Sequence, residues 1–190
     1  MAWIAEDRRH VQVKTGEPVL TEQIKQYLRE KYFPRYPTKR AVLIPALHAV
    51  QHHYNWIPPQ GMQEIAEFLE IAPAEVLDTA SFYEEFWLKP KGQYLVQVCR
   101  SLACHLCGQK EITDQAKKTL GIDEFETTPD GKFTFIELEC LGACGTAPVM
   151  LVNDVLHENL TTAEVEKVLI NLPADPHDYH DAGVTWDAKH

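Results

Sequence analysis

Four of the five cysteines fall into two close pairs, Cys99-x4-Cys104 and Cys140-x3-Cys144, with 35 residues between the pairs. Thiolate is the ligand on which iron–sulfur clusters are built, and four thiolates complete the two tetrahedral irons of a [2Fe–2S] core. Such a core carries net negative charge, so donors must point at it if it is to sit in protein. Ser101, Ala103, Gly142, Ala143 and Gly145 are small enough to let backbone N–H groups approach the sulfurs. A helix starting after Cys104 would add its positive N-terminal end. The candidate metal ligands are therefore Cys99, Cys104, Cys140 and Cys144, and the chemistry is one-electron redox.

Cys107 keeps other readings open. Cys99-x4-Cys104-x2-Cys107 also matches the start of the plant-type ferredoxin spacing, with Cys140 or Cys144 as a distant fourth ligand. That choice leaves one member of the tight second pair unused. It also takes its third ligand from inside the following helix, where a buried, small apolar role suits Cys107. A structural zinc site would favour Cys-x2-Cys knuckles, and Cys104-x2-Cys107 is the one such unit. The same unit, Cys104-His105-Leu106-Cys107, could serve a thiol oxidoreductase at a helix N-terminus. His48 and His52 share a helix face but lack a third ligand, and a Rieske centre would need two histidines where four cysteines stand.

Composition narrows the class. A chain of 190 residues with 45% hydrophobic content can bury a core without disulfide staples. Its formal charge of −10 argues against nucleic-acid binding. The N-terminus lacks the apolar stretch of a signal peptide, and the longest strongly apolar run, Ala41 to Leu47, is too short for a membrane span. A soluble intracellular protein without direct membrane insertion is expected, where paired cysteines are ligands rather than disulfides. The glycines include no Gly-x-Gly, so there is no dinucleotide fingerprint or phosphate loop, and a flavin must come from another protein.

The elements that must position the cysteines can be read from periodicity. Residues 1–18 form no pattern and read as a flexible arm. From 19 to 80, four short helices make an N-terminal bundle: Ile24, Tyr27, Leu28 and Tyr32 on one; Leu43, Leu47, Val50 and Tyr54 on the next; then Met62, Ile65, Ala66 and Leu69; then Val76, Leu77 and Ala80 after Pro73. Pro45 implies a helix start nearby or a kink. Residues 81–173 change character. Gln93 to Val98 reads as a buried strand and Gly108 to Leu120 as a helix. Ile136, Leu138 and Cys140 alternate with glutamates as a half-buried strand. Pro148 to Val152 is a further strand with a turn at Asn153-Asp154, and Thr161-x-x-Glu164 caps a last helix. The polar tail, 174–190, reads as disordered. The fold class is α/β, an open sheet flanked by helices and preceded by a helical bundle, with both cysteine pairs on loops at one end of the sheet.

At these motifs the chain resembles the thioredoxin-like [2Fe–2S] ferredoxin family, the E subunits of respiratory NADH:quinone oxidoreductase (complex I). The carrying segments are Ile44-Pro45-Ala46-Leu47-His48, Ser81-Phe82-Tyr83, Val98-Cys99-x4-Cys104-His105 and Cys140-Leu141-Gly142-Ala143-Cys144-x3-Pro148-Val149, within about Thr21 to Leu172. The resemblance implies one [2Fe–2S] cluster on Cys99, Cys104, Cys140 and Cys144. It also implies a non-autonomous NADH dehydrogenase component that exchanges single electrons with the FMN of a flavin- and NADH-binding partner. Further peripheral-arm subunits would hold it on the cytoplasmic face of the inner membrane. Related proteins serve NAD-linked hydrogenases and formate dehydrogenases, which the cysteine motif does not separate. Cys107, Glu84-Glu85 and the tail after Pro173 depart from the family pattern.

Overall fold

The computed structural model describes residues 16–174 and residue 176. The arm expected over 1–18 and the tail expected over 174–190 therefore lie, apart from residues 16–18, 174 and 176, outside the described residues. The chain divides into two compact units between Pro90 and Lys91.

The first unit is helical: α1 (Glu22–Lys31), α2 (Leu43–Tyr54), α3 (Pro59–Leu69) and α4 (Pro73–Phe82). The Thr21 hydroxyl caps α1 by accepting from the Ile24 N–H. Pro45 lies in the first turn of α2, where a missing N–H costs no helical bond, so it marks a start and not a kink. Asn55, in the left-handed region at φ 66°, ends that helix, and Pro59 opens α3. The apolar stripes meet in a core around Leu28, Leu47, Val50, Ile65, Leu69 and Val76, all fully buried or nearly so. Buried Gln51 ties the segment after α4 to this core. Its side-chain amide donates to the Glu85 carbonyl (2.8 Å) and its Oε1 accepts from the Trp87 N–H (2.7 Å). In the same segment Phe86 is buried, while Phe82, the last residue of α4, is 76% exposed.

The second unit runs β1 (Tyr94–Cys99), α5 (Leu102–Leu106), α6 (Gln109–Leu120), β2 (Phe133–Leu138), β3 (Met150–Val152), β4 (Val155–His157) and α7 (Thr162–Ile170). The sheet order is β2-β1-β3-β4. β1 and β2 are parallel, with Cys99 opposite Leu138; β3 is antiparallel to β1, with Met150 opposite Val98. The hairpin of β3 and β4 turns at Asn153-Asp154, Asn153 having φ 49°. Tyr94, Val96, Val98, Phe135, Met150 and Val152 pack with Ile112 and Ala116 of α6 and Val165 and Leu169 of α7. The box expected at α7 is formed: Thr161 and Glu164 cap each other's backbone.

Three local readings change. The segment after Cys99 contains a separate five-residue helix, α5, before α6. Cys107 follows α5 as its C-cap and is exposed, so it has no buried role inside a helix. In β2 the strand stops at Leu138, before Cys140, and its face toward the helices is set by Phe133 and Phe135 rather than by Ile136 and Leu138. At Gly92, just before β1, the chain passes so close to β2 that a Cβ would stand 2.5 Å from the Phe133 carbonyl carbon.

Candidate functional site

The parallel pairing of β1 and β2 brings the two cysteine loops to the same sheet end. Cys99 is the last residue of β1 and is buried. Its N–H donates to the Val149 carbonyl (3.2 Å), and its thiol lies 3.4 Å from the Glu139 carbonyl oxygen. The next N–H, of Arg100, donates to the Leu138 carbonyl (2.8 Å) and closes the β1–β2 ladder. The chain then turns into α5, which carries Cys104 inward. Cys99, Cys104 and Val149 form a small buried apolar cluster, lined by Leu141, Ala143, Ala147 and Leu156.

The second loop joins β2 to β3. Gly142, at φ 76°, takes a backbone conformation that favours glycine, and its N–H points at the Cys140 sulfur (3.4 Å). Cys140 and Cys144 are exposed, with sulfurs 3.8 Å apart. Two bonds secure this loop to the chain after β4: Asn159 N–H to the Thr146 carbonyl (2.7 Å) and Leu160 N–H to the Pro148 carbonyl (3.0 Å). The Thr146 hydroxyl also donates to the Glu158 carboxylate.

Electrostatics tie all four thiols into one site. Burial pushes the Cys104 thiol up to about 11, helped by its contact with Cys99 and by the charge of Cys144. The Gly142 N–H, followed by the Cys144 thiol, pulls Cys140 below the ordinary thiol value. Cys144, donating to Cys140, is raised in turn. The thiolate is thus eased on the exposed side at Cys140, while the buried Cys104 holds its proton until a positive charge replaces it.

These residues fit an iron–sulfur core. Two thiolates bound at about 2.3 Å to one tetrahedral metal stand about 3.8 Å apart, which is the Cys140–Cys144 spacing. Among the described residues, no group of three or more His, Cys, Asp or Glu side chains is gathered to hold a single metal ion. A binuclear core asks instead for two thiolates on each iron. Arg100, beside Cys99, reaches across to Glu139, beside Cys140, donating from Nε (3.1 Å) and Nη2 (2.9 Å) to the same oxygen. That bridge and α5 leave no local signal in the sequence; for the Gly142 donor the one signal is a glycine placed where a left-handed turn would need it. His48 belongs to the first unit, its ring 4.9 Å from that of Phe86.

The profile of the thioredoxin-like [2Fe–2S] ferredoxin family matches residues 29–173. NADH-quinone oxidoreductase subunit 2 of Thermus thermophilus is 43% identical over 153 residues, covering 79% of this chain and 84% of the relative. A second NADH-quinone oxidoreductase component, from Rhizobium meliloti, is 40% identical over 135 residues, covering 71% and 80%. Among solved structures, an NAD+-reducing [NiFe]-hydrogenase in the air-oxidized state aligns with TM-score 0.60 and 22% identity. That alignment covers 68% of this chain and 22% of the hydrogenase chain, and it establishes a shared fold.

Proposed function

The chain belongs to the thioredoxin-like [2Fe–2S] ferredoxin family, and we propose that it is the electron-transfer subunit of an NADH:quinone oxidoreductase, holding its cluster on Cys99, Cys104, Cys140 and Cys144. The observation that carries this is the convergence of both cysteine pairs at one sheet end in a chain 43% identical to an NADH-quinone oxidoreductase subunit. When bound, a [2Fe–2S] cluster supplies one-electron storage at low cost in rearrangement. The protein's part is binding and electrostatics. Cys99 and Cys104 anchor the core in the apolar cluster around Val149. Cys140 and Cys144 would supply the exposed pair of thiolates, with the Gly142 N–H stabilising negative charge on the Cys140 sulfur. The cluster is assigned to the segment 81–173, of which residues 81–90 belong to the first compact unit.

No Gly-x-Gly occurs anywhere in the sequence. The nicotinamide and the flavin therefore belong to a partner subunit, which splits the hydride pair into single electrons. The exposed sulfurs of Cys140 and Cys144 offer that partner the short path an electron needs. Among the described residues no helix is long and apolar enough to cross a membrane. Attachment at the cytoplasmic face of the inner membrane then comes through the other subunits of the peripheral arm. The test is functional. The isolated chain should accept one electron from dithionite yet neither bind FMN nor oxidise NADH, and adding the cognate flavin subunit should couple NADH oxidation to reduction of its cluster. Stoichiometric FMN on the isolated chain, or NADH turnover without a partner, would overturn the assignment.

A further inference from the structure

Arg100 and Glu139 are 39 residues apart in sequence, yet each is the chain neighbour of a candidate ligand, Cys99 and Cys140 respectively. Their side chains make a two-donor bridge between the loops, 2.9 and 3.1 Å long. The pair is open to solvent, with the arginine side chain 47% and the glutamate 74% accessible, so its contribution to fold stability is small. Two further acids, Glu124 and Glu137, also act on the Arg100 charge, Glu137 while accepting from Gln109 (2.9 Å) with Lys117 at 4.0 Å. The bridge thus sets one positive and one negative charge on the chain neighbours of two candidate ligands and pairs them with each other.

We propose that the Arg100–Glu139 pair is a charge-balanced strap that sets the reduction potential of the cluster held between its two loops. The inference rests on the ligand assignment above. Adding one electron makes an already anionic core more negative, so a lone cation beside it favours reduction and a lone anion opposes it. Intact, the strap presents little net charge. Removing either half uncovers the other.

The test is potentiometric titration of the full-length chain with dithionite and mediators, followed by loss of visible absorbance. Arg100→Gln should lower the reduced-to-oxidised ratio at a fixed ambient potential, and Glu139→Gln should raise it. Each change should be on the order of threefold and shrink at high salt. The double variant should return close to the parent, and Arg100→Lys, which keeps the charge, should stay near it. A strap that only braced the loops would loosen the cluster alike in both single variants and would not produce opposite signs. Shifts in the same direction, or none, would overturn the proposal. Should Arg100→Gln fail to load, Glu139→Gln still decides, since an unchanged or lowered ratio there contradicts the proposal. A parent chain with no cluster signal would instead overturn the ligand assignment, and the strap with it.

Discussion

The sulfurs of Cys140 and Cys144 stand 3.8 Å apart, the separation two thiolates keep on one tetrahedral metal with bonds of about 2.3 Å. Three residues of loop, with Gly142 in the left-handed region, are enough to hold that spacing. The buried pair, Cys99 and Cys104, comes from a strand end and the short helix after it. One half of the site is thus open and the other is packed.

Ligand identity follows from this division. Replacing Cys99, Cys104, Cys140 or Cys144 by Ala should abolish the cluster or make it labile, read as iron content and visible absorbance. Cys107→Ala should leave both nearly unchanged, because Cys107 is exposed at the C-cap of α5. Bleaching by Cys107→Ala together with an intact spectrum in Cys140→Ala or Cys144→Ala would establish the plant-type spacing instead.

The thiols of the cluster-free, reduced chain should differ in reactivity. At pH 7 to 8, alkylation followed by peptide mass mapping should find Cys140 modified ahead of Cys144, since Cys140 is lowered and Cys144 raised. Cys104, buried and pushed up to about 11, should react after both. The same shift gives a stability trend. The folded state holds the Cys104 proton more tightly than the unfolded chain, whose thiol titrates near 9.0. That stabilisation is complete below the lower value and is lost as pH rises toward about 11. Cluster-free protein should accordingly lose thermal stability across that window. Cluster loading, which releases protons, should improve as pH rises toward it.

Gln51 is a structural anchor in the first unit. Gln51→Ala removes both bonds to the 85–87 backbone and leaves the Glu85 carbonyl and the Trp87 N–H without that partner. Urea unfolding should show a loss of about 1–3 kcal/mol.

Gly92→Ala should destabilise the second unit. Its Cβ would meet Phe133 and Thr134 backbone at 2.5–2.9 Å, which a parallel strand pair cannot relieve by a rotamer change. A loss of about 1–3 kcal/mol, with cluster retention impaired as the β1–β2 register shifts, is the expected result of denaturation and iron analysis.

The candidate site was legible in the sequence because its proposed ligands come as local pairs, whose spacing points to a chemistry before any fold is known. The helices of the bundle, the β3–β4 turn and the cap of α7 were equally plain, each carrying its own periodicity or turn residues. What escaped had no local signal. α5 is too short to show a helical period, so periodicity alone places Cys107 in the following helix. In β2 both faces carry large apolar residues, Phe133 and Phe135 against Ile136 and Leu138, and alternation alone does not say which packs on α6 and α7. The Arg100–Glu139 bridge exists because β1 and β2 are parallel neighbours, a pairing that only the tertiary structure supplies.

The most direct test is iron and acid-labile sulfide analysis of the full-length chain purified without oxygen. Two iron and two sulfide per chain are expected for the [2Fe–2S] centre. One zinc per chain without sulfide, or a metal-free protein after reconstitution under reducing conditions, would contradict it.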